Sequence, residues 1–239
     1  MNDKLFFTPL EETISFYTRN DFAILNHLLI GNYDGLWKYA LIAYNDNRGI
    51  LGEYTQGIRT IDSDYDIKWI NCLQKRLLSN LDDAAKKIVI GNANNDIANI
   101  LNAMRPANKP MQLFRTAWID NQYAAENMFA YSREYRALQF DVGTVLEIKT
   151  ITSCSLTPYR ESDDVGSNFY RYEIHVPCGL PVLELDQFVT HNEDGEVLLP
   201  PMKCKVTNIR GADINQCKGV VDLEYSGPLD FLNTSMFCD

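Results

Sequence analysis

Near residue 105 the hydrophobic pattern of this 239-residue chain changes its period. Before that point apolar side chains recur at i, i+3 and i+4, the spacing that lines them along one helix face. After it come short runs of β-branched and aromatic residues broken by Gly, Pro, Asn and Asp, the pattern of strands and their turns. Helices first and strands second point to an α+β chain with the helices packed on the sheet. No repeat or low-complexity linker marks the shift, so we expect a change of layer within one domain.

In the first part Phe16, Tyr17, Phe22, Leu25, Leu28 and Leu29 make one apolar helical face, with Asn20-Asp21 offering a cap. A second helix is expected over 36–44 around Trp37 and Tyr39. A third carries Ile67, Trp69, Ile70, Leu73, Leu77, Leu78 and Leu81 behind a cap at Asp62, Ser63 or Asp64. A short fourth runs over 96–104 and stops before Pro106. Strands are expected over 111–118, 137–140, 145–148, 169–176, 181–185, 196–199, 202–209 and 219–225, with a helix over 123–131.

The formal net charge is −10, which repels phosphate backbones, and no basic patch opposes it. Lys75-Arg76 and Lys86-Lys87 fall within helical patterns and read as solvated faces. A nucleic-acid partner is therefore not expected. Nothing approaches the run of roughly 20 apolar residues that spans a bilayer, and no membrane partner is expected. The first residues, MNDKLFFTPLEETIS, lack the charged-then-apolar order of a signal peptide. Six cysteines without a C-x-x-C and only three histidines give no metal-ligand spacing, so no metal site is expected. We expect the thiols to be reduced and mostly buried.

Three stretches of the second part carry possible chemistry. In Leu113-Phe114-Arg115-Thr116, strand alternation points Arg115 away from Phe114, where its guanidinium can fork onto phosphate or ribose oxygens. In Thr152-Ser153-Cys154-Ser155-Leu156, the hydroxyls of Ser153 and Ser155 share a strand face and Cys154 points to the core. In Asp194-Gly195-Glu196-Val197-Leu198-Leu199-Pro200, Glu196 opens a buried strand and Asp194 ends the loop before it. A carboxylate at Glu196 suits a ribose 2′-hydroxyl, whose hydrogen bond strengthens as positive charge builds in the cleavage of a glycosidic bond. Asp194 is then free to meet an incoming nucleophile. Taken singly, each stretch reads equally well as ordinary structure: a strand arginine paired with a surface carboxylate, strand-end serines, and a turn leading into a strand. Their order along the chain carries the functional reading.

As an ordered set these stretches resemble the mono-ADP-ribosyltransferases of the arginine / Ser-x-Ser / Glu-x-Glu group, which includes many bacterial toxins and effectors. The resemblance extends to Phe16-Tyr17-Thr18, Phe22 and Leu25-Asn26 as that family's first helix, and to 97–104 as its last. It also takes in the strand over 169–176 with Pro177-Cys178-Gly179, which is similar to the family's turn before the acidic motif. It implies one ADP-ribosyltransferase-like domain over 1–239, with 1–105 as a helical layer and 106–239 as an NAD-binding core of mixed, mainly antiparallel strands in two sheets.

The resemblance also implies roles. NAD+ is a substrate and no metal is needed. Arg115 and Arg160 hold the dinucleotide, the Thr116 backbone faces the nicotinamide amide, Ser153 positions the catalytic Glu196, and Ser155 supports that strand. Asp194 orients the acceptor. The loop 187–195 recognises the target protein through Phe188, His191 and Asp194. Three positions depart from the pattern: Cys154 stands for threonine, Thr116 for glycine, and Asp194 for glutamate. The shorter Asp194 leaves the acceptor open among arginine, threonine, serine and asparagine. Where the family stacks an aromatic on nicotinamide, from the loop after the hydroxyl motif, this sequence offers Tyr159, the aliphatic Val165 or Phe169, and the residues do not choose among them. Relatives of this kind modify host actin, small GTPases or ubiquitin, after secretion or translocation into a host cell. Without a classical signal peptide the route here is a specialised one, or the protein is cytoplasmic. An NAD+ glycohydrolase, or a non-catalytic interaction module with the same fold, would use the same residues differently.

Overall fold

Pro9 opens α1 (Pro9–Phe16), a position where its fixed φ suits a helix and its missing N–H costs nothing. The computed structural model describes residues 9–16, 22–37, 83–118, 141–158, 169–186, 188, 195–213 and 218–229. By proximity the chain divides into two compact units, 1–103 and 104–239.

In the first unit α2 (Phe22–Leu29) buries every residue from Ile24 to Leu29. It closes on Gly31 at φ 69°, where Gly31 N–H donates to Leu28 O at 3.0 Å and Asn32 N–H to His27 O at 2.9 Å. This is the glycine-terminated cap that satisfies the last carbonyls of a helix. Asn32 then caps the next helical stretch, 33–37: its Oδ1 accepts from Gly35 N–H at 3.2 Å, and its Nδ2 lies 2.8 Å from Nδ1 of the buried His27. That cap starts the helix three residues before the expected residue 36. The single apolar face expected across Phe16 to Leu29 belongs to two helices, since Phe16 ends α1 and Phe22 begins α2.

The expected short helix at 96–104 is the second half of α3 (Asp83–Ala103), 21 residues long. Gly91 and three asparagines lower helix propensity and conceal the first half, but the buried stripe Val89, Ala93, Ile97, Ile100 runs through them. Polar groups tie α1 to α3: Thr13 Oγ1 donates to Asp96 Oδ1 at 2.7 Å and accepts from Asn99 Nδ2 at 3.2 Å. The helices expected around 67–81 and 123–131, and the strand at 137–140, lie outside the described residues.

The second unit is a mixed sheet. Its strands are β1 (Arg105–Pro106), β2 (Met111–Trp118), β3 (Val145–Ile148), β4 (Thr152–Ser155), β5 (Phe169–Val176), β6 (Pro181–Glu184), β7 (Glu196–Leu199), β8 (Met202–Asp213) and β9 (Lys218–Pro228). Hydrogen bonding orders them β1-β6-β7-β4-β2-β5-β9-β8-β3, with only β5 and β9 parallel among the described pairs. Among the described residues the chain is thus α+β with a mainly antiparallel nine-stranded sheet, its strands joined in one run; the expected division into two sheets is not seen in this pairing. Its narrowest joint is β4 to β2, a single register pair, Phe114 with Ser155.

β8 and β9 outrun their expected bounds of 202–209 and 219–225. Register shifts fall at Lys203/Cys204, Val206/Asn208 and Arg210/Asp213. At the second the two-residue alternation breaks: Met202, Cys204 and Val206 are buried, and Thr207 and Asn208 are both exposed. One core cluster, including Leu113, Cys154, Tyr172, Ile174, Val197, Leu199, Cys204 and Leu223, packs on one side of these strands. On the other side the buried Glu173 binds Gln112 Nε2 at 2.9 Å, Arg171 Nε at 3.3 Å and Arg210 Nη2 at 2.9 Å, tying β5 to β2 and β8. This fixes β2, the strand that carries Arg115.

Candidate active site

β7 lies between β6 and β4 and opens on Glu196, at the point where the chain enters the core: Glu196 is half-buried and Val197, Leu198 and Leu199 are buried. Its backbone is gripped from both sides. Leu185 N–H donates to Glu196 O at 2.9 Å, and Leu156 N–H donates to Gly195 O at 3.0 Å. On β4, Ser155 is the register partner of Glu196 and Ser153 that of Leu198. Residues two apart on a strand share a face, so Ser153, Ser155 and Glu196 lie together.

The hydroxyls divide the work. Ser153 Oγ donates to Glu196 Oε1. Ser155, although directly opposite Glu196, turns its Oγ to Thr157 O at 2.6 Å and Phe114 O at 3.4 Å. Ser153 thus meets the carboxylate on the diagonal, and Ser155 closes the joint between β4 and β2.

Arg115 approaches β4 from β2, where it pairs with Tyr172 of β5. Its Nη1 donates to Ser153 O at 3.0 Å. Alternation places it on the side of the buried Leu113 and opposite Phe114. Its Nε is buried and has no hydrogen-bond partner among the described residues. A buried guanidinium N–H without an acceptor favours an oxygen-bearing ligand there.

Cys154, between the two serines, is 2% exposed and faces the core. Burial pushes its thiol up to about 12; the nearby Arg115 charge pulls it down and Glu196 pushes it further up. At neutral pH it is a protonated, unreactive thiol. Cys204 is also buried and its thiol is likewise raised to about 12.

Of the remaining candidates, Thr116 follows Arg115 on β2 and pairs with Arg171. Phe188 is half-buried, its N–H on Leu185 O at 2.8 Å. Arg160, His191 and Asp194 lie outside the described residues, as do Tyr159 and Val165. Leu156 and Gly195, which flank Ser155 and Glu196, stand in the expected motifs without a role of their own, Gly195 only as the last residue of the loop 187–195. The Asp-Gly step was the available signal, since that dipeptide marks left-handed turns. Among the described residues no group of three His, Cys, Asp or Glu gathers as a metal site, and no helix is long and apolar enough to cross a membrane.

The chain is similar to ADP-ribosyltransferases of known structure. An ADP-ribosyltransferase toxin from Paenibacillus larvae is 16% identical, with a TM-score of 0.46 over 92% of this chain and 88% of that one. An ADP-ribosyltransferase from Clostridium botulinum is 13% identical, with a TM-score of 0.46 over 92% and 87%. An ADP-ribosylating toxin of a binary enterotoxin of C. perfringens, solved with NADH, is 14% identical, with a TM-score of 0.49 over 92% of this chain and 44% of that one. No family model matches the chain, and no curated protein matches its sequence.

Proposed function

We propose that this protein is a mono-ADP-ribosyltransferase that takes NAD+ as substrate, transfers ADP-ribose to a side chain of a target protein and releases nicotinamide. The observation that carries the reading is the Glu196 carboxylate held by Ser153 Oγ, with Arg115 bound to the carbonyl of that same serine. The ordered motifs and the resemblance they carry support it.

The C–N bond between nicotinamide and ribose breaks with its electron pair leaving on nicotinamide, and positive charge develops on the ribose. Glu196 accepts from the ribose 2′-hydroxyl while Ser153 orients its carboxylate, and this bond strengthens as the charge grows. Arg115 offers its unused N–H groups to phosphate or ribose oxygens, with Arg160 as a second cation and the Thr116 backbone at the nicotinamide amide. The acceptor side chain attacks the ribose carbon and gives up its proton to the Asp194 carboxylate, the group we assign to activate or orient it. Phe188 and His191 belong to the loop we assign to target recognition. The reading takes 1–239 as one such domain, acting on a host protein after secretion or translocation.

Wild-type protein and Glu196→Gln incubated with labelled NAD+ and a eukaryotic lysate test this. Labelled protein bands with wild type alone are expected. Nicotinamide release unaffected by any acceptor protein would instead make the protein a glycohydrolase, and no NAD+ cleavage and no NAD+-dependent rise in melting temperature would make it an interaction module.

A further inference from the structure

Gly195 stands immediately before Glu196 and has φ +65°, a region where residues with a Cβ are strained. A Cβ built there falls 2.7 Å from Leu156 Cδ1 and 3.2 Å from Leu156 Cβ and Cγ. The other described glycines with positive φ, at 31, 143, 179, 211 and 227, have open space at that point. Gly195 alone among them needs glycine twice over, for its backbone and for the room that Leu156 occupies.

Leu156 is itself unusual. It is 42% exposed, although it is a large apolar residue directly after the serine motif. Its backbone N–H binds Gly195 O, so its main chain and its side chain both engage the same glycine. On the far side of β7, Leu185 N–H holds Glu196 O. The step from 195 to 196 is thus pinned by two hydrogen bonds and one apolar contact, and it sets the direction in which the Glu196 side chain leaves the strand.

We infer that Leu156 is a positioning residue for Glu196: seated on the bare Cα of Gly195, it holds the left-handed step that turns the chain into β7 with the carboxylate against Ser153. The inference rests on the proposed function for its kinetic consequence, and on packing alone for its structural one. Two carboxylate oxygens presented a few tenths of an ångström off line still bind substrate but no longer meet the charge that develops on it, so the loss falls on kcat.

The test compares wild type, Gly195→Ala, Leu156→Ala, Leu156→Met and the double variant Gly195→Ala/Leu156→Ala. Nicotinamide release from NAD+ gives kcat and KM, and thermal unfolding gives stability without reference to activity. For Gly195→Ala, kcat is expected to fall by about 10-fold or more. KM for NAD+ should stay within about 3-fold, with the protein folded at a lower melting temperature. The double variant, with the blocking Cγ and Cδ atoms removed, should recover at least about 3-fold in kcat and part of the lost melting temperature. Leu156→Met, which refills the space with a flexible chain, should stay closer to wild type than Leu156→Ala. The inference is overturned if Gly195→Ala keeps wild-type kcat, or if the double variant is no better than the single one in either measurement. If wild type cleaves no NAD+, the proposed function has failed; the recovery of melting temperature in the double variant then decides the Leu156–Gly195 contact on its own.

Discussion

Ser153 donates to Oε1 of Glu196 across a strand pair, from the position diagonal to the glutamate and not the one directly opposite it. The direct partner, Ser155, spends its hydroxyl on the carbonyls of Thr157 and Phe114. The Ser153 hydroxyl therefore orients the carboxylate, while that of Ser155 joins β4 to β2, the strand that carries Arg115.

Removing the charge at position 196 without changing its shape separates chemistry from folding. Glu196→Gln keeps the side chain's size and can still bond Ser153. The rate of nicotinamide release should fall by about 100-fold or more, the scale of losing one preorganised electrostatic group. The melting temperature should stay within about 3 °C. Retention of full transfer activity would end the proposed mechanism.

Ser153→Ala keeps Glu196 in the strand and removes the hydroxyl that orients its carboxylate. A hydrogen bond to a charged group contributes about 1.5–3 kcal/mol, so kcat should fall by about 10- to 100-fold. In a double-mutant cycle with Glu196→Gln the two losses should not add, because both act through one carboxylate. Additive losses would show that Ser153 acts elsewhere.

Arg115→Lys retains the positive charge but loses the planar fork and the Nε–H group. One ammonium cannot at once hold the Ser153 carbonyl and present aligned donors to a dinucleotide. Affinity for NAD+ should weaken by about 10-fold, measured by calorimetry on the Glu196→Gln background, where turnover does not interfere. Unchanged affinity would remove Arg115 from the binding site.

The two buried thiols predict a pH dependence of stability. Cys154 and Cys204 hold their protons in the fold to about 12, whereas the ordinary value is 9.0. Between those values the unfolded chain binds fewer protons than the folded one, so stability falls as pH rises, by at most about 1.4 kcal/mol per pH unit for each thiol. Urea unfolding should show this decline from about pH 9 upward, and Cys204→Ala should make it shallower. An unchanged slope would show that the thiol is not protected. Alkylation of the native protein should label the exposed Cys178 and spare Cys154 and Cys204, as peptide mass spectrometry would report.

Much of the fold was legible because local rules suffice for it. The strands at 111–118, 145–148, 169–176 and 196–199 match their expected bounds, since alternation and β-branched content stay regular there. Regularity failed at the bulges of β8 and β9 and at Gly91 and its neighbouring asparagines in α3, and the expected bounds failed with it. β1 was missed because Pro106 reads as a helix stop, although an edge strand tolerates proline.

From sequence alone came the residue types of the site and their chain order: an arginine in one strand, two hydroxyls two apart, and a glutamate opening a buried run. Side-chain period and chemistry determine those without any partner strand. Which serine serves Glu196, that Arg115 holds the Ser153 carbonyl, and that Leu156 fills the space over Gly195 were decided by tertiary structure. Each depends on the register between strands some 40 residues apart in the chain, 38 for Arg115 and Ser153 and 43 for Ser153 and Glu196. A one-residue slip in that register would place every one of these groups on the opposite face.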